Sequence, residues 1–435
     1  MKQLSFASVL EDLQARPIMP DRLPSVVPTR KVLDQLRIQE AAFFSEFCKD
    51  PRKIIIVAGT NGKGSVSATL EALFRAAGEN VGLYTSPHLE TINERIRFNG
   101  VNISDSAFVQ AYQDVSRRAD VAQLTHFELL TVMAVDYFLF SDECAKLDRI
   151  ILEVGLGGAS DATNAVPHGM CIFTTIGLDH TQILGDTREQ IATQKLGVLD
   201  GVPGDVVPVI IHGPLDAEIA PAFQRRRTQH AIGTWTQTPA YSSMTQADPP
   251  FTTQIQSAWG TAELKLVGDR AAWNTNTALT AFEASGYDPG LYLEALKDVS
   301  WFGRFEAMRA VGFRHAVWLS GDHNPEGIAS LIEIVGRSSK PIAFVVGIGH
   351  EKDLTGILDP LLQLPAAKVF LTETPFRGRT ISDYGSYLDR CEKYSANWKQ
   401  LLEELDSSWP QEGTIVVTGS LYLVGAVRSW LKAKA

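Results

Sequence analysis

The segment Gly59-Thr60-Asn61-Gly62-Lys63-Gly64-Ser65 packs three glycines, a lysine and two hydroxyl side chains into seven residues. Small residues let backbone N–H groups face a phosphate, and a lysine adds a point charge, so this is the chemistry of a nucleotide phosphate site. It departs twice from the strict G-x-x-x-x-G-K-[ST] pattern, which would need Gly at Val57 and Ser or Thr at Gly64. Further polar groups recur in Tyr84-Thr85-Ser86-Pro87-His88-Leu89, Glu153-Val154-Gly155-Leu156-Gly157-Gly158, Asp179-His180-Thr181 and at Lys195. Ser86, Glu153, His180 and Lys195 are side chains able to hold magnesium or an anion where α/β sheets collect ligands, at strand ends. Each also has a plain structural use. Ser86 opens a turn before Pro87, Glu153 caps a neighbouring helix, His180 is a satisfied loop histidine and Lys195 a solvated helix residue.

The elements that must position these groups can be read from periodicity. Lys53–Val57 is short, β-branched and ends at the glycine loop, which predicts a buried strand, followed by a helix from Lys63 to Ala77 that stops at Gly78. Strands are expected at Val81–Tyr84, Arg149–Val154, Cys171–Ile176 and Val206–Ile211, with helices near Phe127–Phe140 and Arg188–Leu199. This alternation is that of an α/β domain with a mostly parallel sheet. The Thr-, Ser-, Gln- and Pro-rich stretch Thr228–Thr261 reads as an antiparallel appendage. After a helix around Trp273–Ala284, a second α/β series follows, with strands at His315–Leu319, Ile342–Val346, Lys368–Leu371 and Thr414–Val417. The boundary is placed near Ser300, giving domains 1–299 and 300–435; no internal repeat is visible.

A chain of 435 residues with 45% hydrophobic and 21% charged residues has globular proportions and length for two domains at roughly 100 to 200 residues each. The formal net charge of -10 provides no field for nucleic acid or anionic lipid. Arg225-Arg226-Arg227 is read as a solvated helix end. Cys48, Cys144, Cys171 and Cys391 lack C-x-x-C spacing, so zinc ribbons and redox pairs are not expected, and reduced thiols are. The opening Met1-Lys2-Gln3-Leu4-Ser5 lacks an apolar signal core, and nowhere do about 18 apolar residues run together, so a cytoplasmic protein is expected, with no membrane or nucleic-acid partner.

Taken in order, GTNGKGS, YTSPHL followed by NERIRFNG, THFE, EVGLGG and DATN, LDHTQILG with Lys195, Asn274, WFGRFE, HNP and TGSLYLVG at 418–425 resemble the folylpolyglutamate synthase and dihydrofolate synthase family of the Mur ligase superfamily. The resemblance implies an N-terminal P-loop-type ATPase domain with a mostly parallel sheet and a smaller C-terminal Rossmann-like α/β domain that works as the glutamate-ligase domain. It implies a monomer that uses ATP, L-glutamate and dihydropteroate or a reduced folate, joining glutamate by an amide through an acyl phosphate. Thr60, Asn61, Gly62, Lys63, Gly64 and Ser65 would hold ATP phosphates, Asn274 would meet adenine, and Arg304 would reach the phosphates on closure. Ser86, Glu153 and His180 would bind one Mg2+, and Lys195, carbamylated by CO2, a second. Lys63, His180, Lys195 and His323 carry the catalytic expectation. Thr125, Phe127, Asp161 and Ala162 would line the folate pocket, with the Phe127 ring facing the pterin, while His323 and Ser420 would serve the glutamate and reaction site.

Three departures qualify the match. Ala159-Ser160 stand where relatives carry Arg and an apolar residue, which removes a cation near an anionic substrate. The usual D-G-A-H-N-P reads Ser320-Gly321-Asp322-His323-Asn324-Pro325, which moves the ribose-binding carboxylate from 320 to 322. Asp322 then takes over the ribose contact if the turn before Pro325 bends back toward the ribose, or Ser320 makes a weaker neutral bond instead; the other reading is that Asp322 caps the helix beginning near Pro325. The Leu23–Leu33 region also differs. Two other readings stay open at this point. One is a Mur-type ligase with another carboxylate substrate, for which the 52 residues before Lys53 are short of a further domain. The other is a non-catalytic ATP-binding regulatory relative, since fold alone does not fix function.

Overall fold

The computed structural model describes residues 4–18 and 24–434, so Met1–Gln3 of the opening and Leu23 lie outside the described residues. Two compact units are present. The first comprises residues up to His88, Ile92–Ala240 and Asn274–Ala295. Its strands are β1 (Ile54–Ala58), β2 (Val81–Tyr84), β3 (Ile96–Phe98), β4 (Val101–Asn102), β5 (Arg149–Glu153), β6 (Met170–Phe173), β7 (Val209–His212) and β8 (Thr234–Gln237). They form one sheet in the order β4-β3-β2-β5-β1-β6-β7-β8, parallel except at β3 and β4. All five residues of β1 are buried, as a strand covered on both faces requires. The helix Lys63–Ala76 leaves the end of β1, and His126–Phe140 is buried over most of its length, matching its apolar character all round.

The second unit comprises Leu89–Thr91, Tyr241–Trp273 and the chain from Leu296 onward. It holds a three-stranded antiparallel sheet of β9 (Ser242–Thr245), β10 (Thr253–Ser257) and β11 (Gly260–Leu264). Its larger sheet contains β12 (Arg304–Met308), β13 (Val317–Ser320), β14 (Ile342–Val346), β15 (Ala367–Thr372), β16 (Lys393–Ser395) and β17 (Thr414–Thr418). The order is β12-β13-β17-β14-β15-β16, parallel apart from β12.

A single cut at 300 therefore does not describe the division. The segment 241–273 joins the second unit because Phe251 packs on Phe305 and Trp318, with ring centroids 5.2 and 5.0 Å apart. Leu89 joins it because the Leu89 backbone and side chain fill the space beside Gly425 and Gly303. Two further expectations shift. Thr234–Gln237 is an edge strand of the large sheet rather than part of an appendage. The strand expected at Val206 starts at Val209, after Pro208, which has no N–H to give a ladder. Arg225–Arg227 do close a helix, Ala220–Gln229, where Arg226 pairs with Asp200 at 2.7 Å. The four cysteines are free thiols. Among the described residues no helix is long and apolar enough to cross a membrane.

Candidate functional site

After β1 the backbone turns through Gly59 (φ 151°) and Gly62 (φ 89°), the latter directly ahead of the helix at Lys63. Both positions need glycine, since a Cβ on Gly59 would collide with the Thr174 side chain and one on Gly62 with the Asn274 amide. The loop is held to the segment after β6. Thr60 N–H donates to Thr175 O at 2.7 Å, Thr60 Oγ1 donates to Gly177 O at 3.0 Å, and Thr174 Oγ1 donates to Asn61 O at 2.7 Å. Those threonine bonds end β6 at Phe173, short of the expected Ile176. Gly64 and Ser65 lie buried in the first turn, where the helix dipole favours an anion.

Two lysines converge on this loop. Lys63 Nζ lies 3.2 Å from Gly59 O and 3.3 Å from Thr60 O, and Lys195 Nζ donates to the same Gly59 O at 2.7 Å. Lys195 is not a solvated helix residue; it is 5% exposed. Burial, with the Lys63 charge acting in the same sense, lowers its pKa to about 7, against an opposing pull from Asp179 and Asp161.

Glu153 ends β5, which runs between β1 and β2, and Ser86 follows β2. The buried Glu153 carboxylate accepts the Ser86 N–H at 3.0 Å, so these two are brought together. His180 adopts a left-handed backbone (φ 49°), its side chain is 44% exposed, and Nε2 lies 3.9 Å from Asp179 Oδ2. Among the described residues no three His, Cys, Asp or Glu side chains converge into a metal cage. Magnesium asks for less, because one or two carboxylates suffice when phosphate oxygens and water complete its shell. The buried Glu153 carboxylate beside Ser86 at the phosphate loop is a hard-oxygen set that fits this ion. Asn274, 3% exposed and beside Gly62, leaves its Oδ1 without a hydrogen-bond partner, an orphan acceptor at the loop.

On the expected folate side, Thr125 is the N-cap of His126–Phe140, in a capping box with Glu128. The half-buried Phe127 ring lies over Gly155, where a Cβ would come within 2.6 Å of it, and its centroid is 5.8 Å from that of Tyr84. Asp161 braces its own loop, accepting from Gly155 N, Leu156 N, Thr163 N and Thr163 Oγ1 at 2.6 to 3.1 Å. Burial raises its pKa against those four bonds. Ala162 is buried beside it. Sequence reasoning passed over His88, whose Nδ1 accepts from Arg95 Nε at 2.9 Å; burial, then the Arg95 charge, holds its pKa down to about 3.

In the second unit, Arg304 pairs with Ser320 across β12 and β13, and Phe305 (φ 53°) makes the bulge beside it. Asp322 does not cap the helix Pro325–Val335: Asn324 does, accepting Gly327 N at 2.8 Å. The Asp322 carboxylate instead accepts from Ser320 Oγ at 2.5 Å and from Arg270 Nη1 at 3.1 Å. Arg270, distant in sequence, gave no signal of this role. His323 Nδ1 lies 2.8 Å from Gly321 O, and Ser420 caps Leu421–Lys432 through Tyr422 N.

A glycine-rich loop at the end of a central parallel strand, with a second smaller α/β unit, is the Mur-ligase-like fold of the solved structures this chain resembles. No family model matches it. It is 32% identical over 396 residues to the Escherichia coli dihydrofolate synthase/folylpolyglutamate synthase, covering 88% of this chain and 87% of that one. It is 30% identical over 403 residues to the Lacticaseibacillus casei folylpolyglutamate synthase, covering 87% and 90%. A probable bifunctional folylpolyglutamate synthase/dihydropteroate synthase of Halobacterium salinarum matches at 30% over 89% of this chain, which spans only 48% of that longer protein. Among solved structures, a Mycobacterium tuberculosis folylpolyglutamate synthase with ADP and AMPPCP aligns over 98% of both chains with TM-score 0.80 and 26% identity. The E. coli enzyme in complex with DHPP and ADP aligns over 99% and 98%, with TM-score 0.78 and 28% identity. A bifunctional enzyme with Mn, AMPPNP and L-glutamate bound gives 0.78 and 26%, over 99% and 98%. The chain belongs to the folylpolyglutamate synthase/dihydrofolate synthase family.

Proposed function

We propose that this protein is an ATP-dependent amide ligase that adds L-glutamate to dihydropteroate, to tetrahydrofolate, or to both, through an acyl phosphate, with ADP and phosphate released. The observation that carries the reading is the meeting of Lys63 and Lys195 on the single carbonyl of Gly59. Two ammonium groups gathered there repel one another unless an anion arrives or one of them gives up its charge. ATP phosphates supply the anion, and the loop amides with Lys63 take the β- and γ-phosphates. Lys195, with its lowered pKa, supplies a neutral amine. That amine adds CO2 and loses a proton to become a carbamate.

The ligands named for the E. coli enzyme and the Mn-bound relative support the same substrates here. Magnesium, when bound, neutralises charge on the transferring phosphoryl group. Ser86, Glu153 and His180 would hold one ion, and the Lys195 carbamate a second. A carboxylate oxygen of the folate precursor attacks the γ-phosphorus and ADP departs. The glutamate amine then attacks the acyl carbon, phosphate leaves, and the nitrogen loses a proton. Asn274 offers its orphan Oδ1 to the adenine amine, and Phe127 offers its ring face to the pterin. Arg304, Ser320 and Asp322 are assigned to ATP, and His323 and Ser420 to glutamate. A cytoplasmic monomer completes the reading. The test is phosphate release from MgATP and L-glutamate with dihydropteroate or tetrahydrofolate added singly. Release dependent on either acceptor supports the ligase, and silence with both overturns it.

A further inference from the structure

Resting on the ligase reading, we propose that Asn164, backed by His168, is a positioning residue that fixes Lys195 against the phosphate loop. The last carbonyls of a helix have no partner inside it. The helix Arg188–Leu196 carries Lys195 in its final turn, so the placement of that turn decides where the amine points. At this end Gly197 N–H reaches Gln194 O and Lys195 O, and one loop holds Gln194 O and the two carbonyls that follow the helix. Ala159 N–H donates to Gln194 O at 3.1 Å, and Asn164 Nδ2 donates to Gly197 O at 3.1 Å. His168 Nε2 lies 3.0 Å from Val198 O.

Asn164 Nδ2 also donates to Ala159 O at 3.1 Å, so its two hydrogens tie the loop to the helix end. Asn164 is 2% exposed and its Oδ1 has no hydrogen-bond partner, so the amide is oriented by what it donates rather than by what it accepts. The loop touches Lys195 directly as well, since a Cβ on Gly158 would lie 2.5 Å from Lys195 O. His168 is fully buried, and its other nitrogen lies 2.7 Å from Val166 O. Burial keeps this ring neutral, with one N–H to give, and with the proton on Nε2 it ties the loop to Val198, just beyond the helix. A lysine stem has several rotatable bonds, and only a fixed helix end holds Nζ 2.7 Å from Gly59 O. Misplacing such a group by 1 Å typically costs about 100-fold in rate.

The full chain carrying Asn164→Asp, which keeps the shape and removes both N–H donors, tests the claim. Phosphate release should lose about 100-fold in kcat while KM for MgATP stays within about twofold. Crystals of the variant grown without CO2 should show Lys195 Nζ out of hydrogen-bond reach of Gly59 O. If that variant does not fold, His168→Phe should lower kcat and His168→Gln, which retains an N–H donor, should restore it. A variant that melts lower but keeps wild-type kcat per folded molecule overturns the proposal. If the wild-type chain releases no phosphate, the ligase reading is what fails. The crystals then decide the positioning claim alone, and a contact still at 2.7 Å ends it.

Discussion

Replacing Lys195 with arginine retains a positive charge but denies the site a neutral amine, because a guanidinium does not deprotonate in this range. With a pKa of about 7, roughly 70% of Lys195 is neutral at pH 7.4, whereas an ordinary lysine at 10.5 is neutral in roughly one molecule per thousand. The pool of amine able to take up CO2 is thus nearly three orders of magnitude larger than for a surface lysine. Incubation with 13C-bicarbonate at pH 7.4 should give a carbamate carbon resonance that Lys195→Arg abolishes, with kcat falling at least about 100-fold. Activity should also fall as pH drops below about 7, where the amine is protonated. The sign for stability is the same. The folded pKa lies below the unfolded value, so unfolding takes up a proton between about 7 and 10.5. Stability should therefore be greatest above 10.5 and decline toward pH 7 by roughly 1.4 kcal/mol per pH unit, about 5 kcal/mol in all. Lys195→Met should remove that slope from the urea unfolding transition of the first unit. A lysine that titrates near 10.5, no carbamate signal, and parallel pH profiles for wild type and Lys195→Met would refute the reasoning.

Lys63→Ala and Glu153→Gln should each reduce phosphate release by about 100- to 1000-fold at saturating MgATP, the cost of losing a group that stabilises transferring charge; near wild-type turnover in either would remove its assignment. Asn324→Ala should lower stability by about 1 kcal/mol through loss of the helix cap, with calorimetric MgATP affinity unchanged. Asp322→Asn should instead weaken MgATP binding by roughly 1 to 3 kcal/mol, and unchanged affinity would leave Asp322 as a partner of Ser320 and Arg270 only. Phe127→Leu should raise KM for the pteroate substrate about fivefold, roughly 1 kcal/mol of ring contact, without moving KM for MgATP.

The central strands of the first unit were legible because β1, β2, β5 and β6 are buried throughout, and β1 stops at Gly59. The burial of Lys195 was legible too, for a reason not used. Ile191, Ala192, Lys195 and Leu196 recur at helical spacing, and all four are buried, so the lysine shares the apolar stripe. The β3–β4 hairpin was likewise announced by Asn99-Gly100, with φ of 50° and 80°, a turn pair that hairpins prefer. The docking of Leu89–Thr91 was not legible. Glu90 pairs with Arg428 and Lys432 in the C-terminal helix, and no local pattern reports an ion pair across more than 300 residues. The same holds for Arg270 on Asp322. Asp322 and Asn324 are both favoured caps near one proline, and only backbone geometry separates them.

The central claim, glutamate ligation through an acyl phosphate, is tested most directly by labelling the acceptor carboxylate with 18O. The labelled dihydropteroate or tetrahydrofolate is incubated with MgATP, L-glutamate and the full chain, and phosphate and amide product are analysed by mass spectrometry. Attack of a carboxylate oxygen on the γ-phosphorus carries that oxygen into the phosphate released when the amide forms, so one 18O per phosphate should appear, matched mole for mole by glutamylated product. Glutamylated product accompanied by unlabelled phosphate, or phosphate release with no new amide, would contradict the account.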